Sequence, residues 1–206
     1  MSDDLNEFTG EIADQIGSFV LAVTEVAKGE EPEQTVSMLL LEVSQLMLAG
    51  GRLGAIADVV PDDRFEPDSG PDPDVDALRS ALSRLLEPID VYYEVFDPYA
   101  PKAKPVAARL SDDVADVVAD LAHGLAHHRA GRSREALWWW QFSYLSNWGA
   151  TASAVLRALQ AVVSHARLDD PIMESLDPDG QALAEDLVDE LAEQLDDAVA
   201  LGRPQA

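Results

Sequence analysis

Residues 133–149 read Ser133-Arg-Glu-Ala-Leu-Trp-Trp-Trp-Gln-Phe-Ser-Tyr-Leu-Ser-Asn-Trp-Gly149. Six of the chain's thirteen aromatic residues fall between Trp138 and Trp148. The spacing of Leu137, Trp140, Tyr144, Trp148, Thr151, Val155, Leu159 and Val162 by threes and fours is that of one helix face. It predicts a single long helix from about Ser133, its expected N-cap, to about Arg167. Gly149 lies on this line and would let a neighbour come close. Two helices broken at 147–149 are the alternative. Three consecutive tryptophans sweep about 200° of a helix, whereas one apolar stripe covers only about 100°. One face therefore cannot take Trp138, Trp139 and Trp140 together.

The same periodicity runs outward from this segment. Leu5, Phe8, Ile12, Ile16, Phe19, Val23 and Val26 define a first helix, ended by Gly29. Pro32 opens a second, where its missing N–H costs nothing. That helix carries Val36, Leu39, Leu40, Val43, Leu46 and Met47, and Gly50-Gly51 is expected to close it, with Arg52 reaching back to its last carbonyls. Four prolines and a glycine in 61–73 make that stretch a loop. A third helix begins near Asp74. Ile89–Phe96 is expected to form a helical turn or two, with a strand as the alternative. Ser111 is placed as the N-cap of a fourth helix, which Gly131 ends. A last amphipathic helix is expected over about 179–201. The fold class is thus all-α: a single-domain helical bundle of about six or seven helices. Residues 1–168 form the helical domain, and 169–206 an acidic linker with a C-terminal amphipathic helix.

Of 206 residues, 47% are hydrophobic, enough for a real core. The 39 acids against 14 bases give a formal charge of −25. Such a surface repels phosphate backbones and anionic lipid, so neither nucleic acid nor membrane is an expected partner. No uninterrupted apolar run approaches the roughly 18 residues of a membrane span. The acidic N-terminus does not resemble a signal peptide, so a cytoplasmic location is expected. The absence of cysteine agrees with it and excludes thiol catalysis and disulfides. Basic protein surfaces and divalent cations are the partners this charge allows; a homo-oligomer is left open on other grounds.

Three segments carry a resemblance: Leu39–Gly54, Asp90–Asp97 and Glu135–Gly149, the last being the most specific. Together they resemble an uncharacterised bacterial helical family catalogued as a domain of unknown function, over roughly residues 5–168. The resemblance implies an all-helical domain and no particular chemistry. Gly131-Arg-Ser-Arg-Glu-Ala-Leu137 is locally similar to the turn of a tetratricopeptide hairpin, but nothing repeats at about 34 residues.

Among candidates for chemistry, Asp116, Asp120, His123 and His127 lie at i, i+4, i+7 and i+11 along one helical stripe. Asp120-x-x-His123 and the His123/His127 pair have spacings that bundle helices use to hold a metal. The plainer reading is a polar face beside the apolar one. The segment Ser175–Asp186 departs from a calcium loop at its first, ninth and twelfth positions. Neither a phosphate-binding glycine loop nor a nucleophile elbow is present.

The tryptophan cluster admits three readings: dense core, protein contact surface, or aromatic-lined pocket with Gln141 and Asn147 as its polar groups. The expected function is a non-enzymatic protein-interaction module, with Trp138, Trp139, Gln141 and Asn147 at the contact surface. The alternative is a metal-dependent enzyme using Asp116, Asp120, His123 and His127. No cofactor is expected beyond a divalent metal in that alternative.

Overall fold

The computed structural model describes residues 2–29, 32–62, 67 and 70–168. The expected helix over 179–201 lies outside them. The chain divides into two units, Met1–Val163 and Ser164–Ala206. Of the second, only residues 164–168 are described.

The fold is mostly helical. Five helices and one small sheet are present among the described residues: α1 (Ser2–Val26), α2 (Pro32–Ala55), α3 (Asp76–Leu85), β1 (Val91–Glu94), β2 (Val106–Arg109), α4 (Leu110–Arg129) and α5. The last runs over 133–168 as an α-helical arm Ser133–Ser143, a π-helical turn Tyr144–Trp148 and a second α-helical arm Gly149–Leu168. The expected count of six or seven is therefore too high for this part of the chain. The single long helix is present, with a π turn where a break was the alternative. The amide of Gly149 donates to Tyr144 O, five residues back.

α1 buries Ile12, Ile16, Phe19 and Val23, and α2 buries Val36, Leu39, Val43, Leu46 and Leu53. These two helices pack on each other, and the first arm of α5 lies against α1, α2 and α4. Helix α2 is apolar on more than one side. Residues Gln34–Ala55 contain a window of mean hydropathy 1.3, long and apolar enough by length and composition to cross a membrane. Here its inward line belongs to the core, while Met38, Leu41 and Leu48 are exposed.

Gly50-Gly51 does not end α2, which continues to Ala55. A glycine inside a helix costs about 1 kcal/mol relative to alanine. Packing explains two of these glycines. A Cβ at Gly50 would lie 2.5 Å from the Tyr144 ring, and one at Gly54 3.0 Å from it. Arg52 does not reach back to carbonyls. It pairs with Glu11 and covers the Phe8 ring at 4.9 Å.

The helical turns expected over Ile89–Phe96 are replaced by an antiparallel hairpin, with Val91 opposite Arg109 and Glu94 opposite Val106. Val91, Tyr92 and Tyr93 are good strand formers, but their partner strand lies beyond the proline-rich loop of 97–105. Helix α4 begins at Leu110, so Ser111 is not its N-cap. Asp90 supplies the cap from across the hairpin: its Oδ1 accepts the Ser111 amide at 2.8 Å and its Oδ2 the Ser111 hydroxyl at 3.0 Å. Asp90 is buried, and Arg109 Nε also donates to Oδ2, at 3.0 Å.

At the other end of α4, Gly131 takes φ +75°. The amides of Gly131 and Arg132 donate to His128 O and His127 O, both at 3.0 Å. This is the paired closure that a left-handed glycine permits. Ser133 is the first residue of α5, with no side-chain cap in front of it.

Candidate functional site

The aromatic segment divides by face. Trp140 is fully buried, and its Nε1 donates to Leu121 O at 3.1 Å. Its ring lies against Gly124 of α4, in the space a Cβ would occupy. Trp148 is also fully buried, donating to Trp140 O at 3.3 Å. Tyr144 packs between Trp148 and α2, its ring 4.8 Å from that of Trp148 and against Gly50 and Gly54. These three continue the core line as expected, except that Ala152 rather than Thr151 is its next buried member.

Trp138 and Trp139 are half-buried and point to different tasks. Trp139 Nε1 donates to Asp120 O at 2.8 Å, and its ring lies 4.2 Å from that of His123. Trp138 stacks on Phe142, with centroids 5.7 Å apart and planes 15° from parallel. Phe142 is 51% exposed and Leu145 64% exposed. Trp138, Phe142 and Leu145 fall at i, i+4 and i+7, so they share an outward face. Phe142 and Leu145 are missing from the residues expected at a contact surface. Their spacing from Trp138 was the available signal.

Gln141 does not belong to that surface. It is buried, and its amide clasps the segment after α2. Oε1 accepts the Val59 amide at 2.7 Å, while Nε2 donates to Leu53 O at 3.0 Å and Ala57 O at 3.3 Å. Glu135 Oε1 accepts the Asp62 amide at 3.2 Å, extending the same clasp. Asn147 is exposed as expected, and its Nδ2 donates to Asp120 Oδ2 at 2.6 Å.

The Asp/His stripe of α4 is present in register, but its four side chains do not converge on one point. Asp116 accepts from Arg79 Nη2 of α3 at 2.9 Å. Asp120 pairs with Asn147, and His123 lies on Trp139. His127 is fully buried, its ring 5.2 Å edge-on from His123. Burial raises the Asp120 carboxyl above the usual carboxylate range. The Asn147 hydrogen bond opposes that shift, Asp116 adds to it and His123 opposes it. Among the described residues, no group of three or more His, Asp or Glu side chains is arranged to hold a metal ion.

What the arrangement offers is therefore an outward aromatic strip on α5, on a helix whose Trp139 and Asn147 tie it to Asp120 of α4. The fold itself recurs elsewhere. The crystal structure of protein BF1032 from Bacteroides fragilis is similar, with a TM-score of 0.61 at 19% identity, covering 74% of this chain and 89% of that one. No curated protein matches the chain. A family model, the domain of unknown function DUF5063, matches residues 3–165, and the chain belongs to that family.

Proposed function

We propose that this chain is a non-enzymatic protein-interaction module. Its contact surface is the outward strip Trp138, Phe142 and Leu145, with Asp116, Asp120 and Asn147 along its rim. The observation that carries this reading is the Trp138–Phe142 stack, with half of Phe142 and more of Leu145 left in water. Large apolar side chains at i, i+4 and i+7 on an exposed helix face are the anchors by which a helix enters a partner's groove. Aromatic residues dominate such contacts energetically. The acidic rim and the charge of −25 favour a partner whose groove is apolar at its centre and basic at its edge.

The double substitution Phe142→Asp, Leu145→Asp tests this. Leu145 is mostly exposed, so its change should cost no more than about 0.5 kcal/mol, while Phe142→Asp also gives up the stack on Trp138, about 0.5–1.5 kcal/mol. Capture from native-host extract with wild-type and variant protein should differ by the loss of a specific bound protein, with the variant still folded by circular dichroism and cooperative melting. Identical capture by both would remove the strip as the contact surface.

A further inference from the structure

A cavity of about 90 Å³ lies between the hairpin, the first turn of α4 and the second arm of α5. It does not involve the α5 strip, and its argument is independent of the proposed interaction. Strand register puts Tyr92 opposite Ala108 and Glu94 opposite Val106, one sheet face, and all four line the cavity. On the opposite face Val91 and Tyr93 are exposed. Small side chains, Ala108 and Ala154, form part of the wall, with Thr151 beside them. Phe96 also lines the cavity and is 77% exposed.

The charges are unevenly matched. Asp112 and Asp116 share Arg79, at 3.1 and 2.9 Å. Glu94 pairs with Arg157. Asp113, in the same acidic group, accepts instead from the Tyr92 hydroxyl, at 2.7 Å. Burial raises its carboxyl above the usual range, the Tyr92 bond opposes this, and Asp116, Asp112 and Glu94 add to it. The charges that act most on Asp113 are thus Asp116, Asp112 and Glu94, while Arg79 and Arg157, the cations of this region, are held by those same three carboxylates. A half-buried carboxylate in such a field is stabilised by a cation brought close to it. Aromatic rings within about 6 Å favour an organic cation, and the alanine walls suit an aliphatic stem.

We propose that this cavity binds a primary alkylammonium group, with Asp113 taking the charge, Tyr92 and Phe96 flanking it, and Ala108, Thr151 and Ala154 enclosing the stem.

The full chain is titrated with n-butylammonium and followed by amide NMR at Ala108, Thr151 and Ala154. Neutral n-butanol serves as the isosteric control. Saturable shifts are expected with the ammonium, and binding at least about tenfold weaker with the alcohol. Asp113→Asn keeps an acceptor for Tyr92 and should weaken ammonium binding by at least about tenfold. Ala154→Leu, which fills the cavity while leaving the carboxylate, should abolish the shifts in a protein with unchanged circular dichroism. The proposal is overturned by equal binding of butanol, by undiminished binding in either variant, or by no saturable shift in the wild type. If Asp113→Asn does not fold, the butanol comparison and Ala154→Leu decide it.

Discussion

Glycine positions carry much of the specificity of this core at the residue scale. Gly124 and Gly51 are both helical, yet their surroundings are opposite. A Cβ at Gly124 would fall within the Trp140 indole, while one at Gly51 meets nothing within 4 Å. Gly124→Ala should therefore destabilise the protein by about 1–3 kcal/mol through overpacking. Gly51→Ala should stabilise it by about 0.5–1 kcal/mol, because alanine loses less entropy in a helix. Urea denaturation of the two variants checks both signs. A neutral Gly124→Ala would mean that Trp140 can move, and that its bond to Leu121 O does not hold it. The sequence does not distinguish Gly124 from Gly51 in this respect. Which of them meets an aromatic ring depends on a helix brought alongside from elsewhere in the chain.

Elements differ in how far their own residues determine them. The helical stripes of α1, α2, α4 and α5 are legible because 3.6-residue periodicity is local. The π turn is not, although its physical reason is visible afterwards. Inward positions Trp140, Tyr144, Trp148 and Ala152 step by four three times. In an α-helix each such step turns the stripe about 40° off axis. A turn that takes in an extra residue absorbs the drift and keeps both arms of α5 on the core. The hairpin and the α4 cap were hidden for another reason: Asp90 and Ser111 are 21 residues apart, and only the paired strands bring them together. At the candidate site, spacing identified the α4 stripe and the partly exposed Trp138 and Trp139. It misplaced Gln141, whose polar amide serves the buried end of α2. Asp120 offers a test of this element-level packing. Its carboxyl titrates above the usual range when folded, burial being the main cause. The native state then holds more protons than the unfolded state between the two pKa values, so stability falls as pH rises through that window and stays lower above it. Asp120→Asn removes this penalty. Its melting temperature relative to wild type should be more favourable at pH 7 than at pH 4. An equal difference at both pH values would show that burial of Asp120 carries no linked cost.

For the molecule as a whole, the decisive quantity is the acid excess. Many of the bases are already engaged with acids of the same chain: Lys28 with Glu25, Arg52 with Glu11, Arg79 with Asp112 and Asp116, Arg109 with Asp90, Arg134 with Asp62 and Arg157 with Glu94. Most of these are partly exposed, and exposed pairs contribute about 0–1 kcal/mol each. They do little to offset the long-range repulsion of a chain at −25. Added salt shortens the screening length from about 10 Å at 0.1 M to about 3 Å at 1 M. Repulsion among distant carboxylates is then weakened more than contacts within an ion pair. Raising sodium chloride from about 0.1 to 1 M should therefore raise the melting temperature. Binding of a basic partner at the acidic rim should weaken over the same range, because that attraction is screened too. The two responses have opposite signs, so one salt series separates them. A partner whose affinity is unmoved by salt would leave the aromatic strip as the contact and remove Asp116 and Asp120 from its rim.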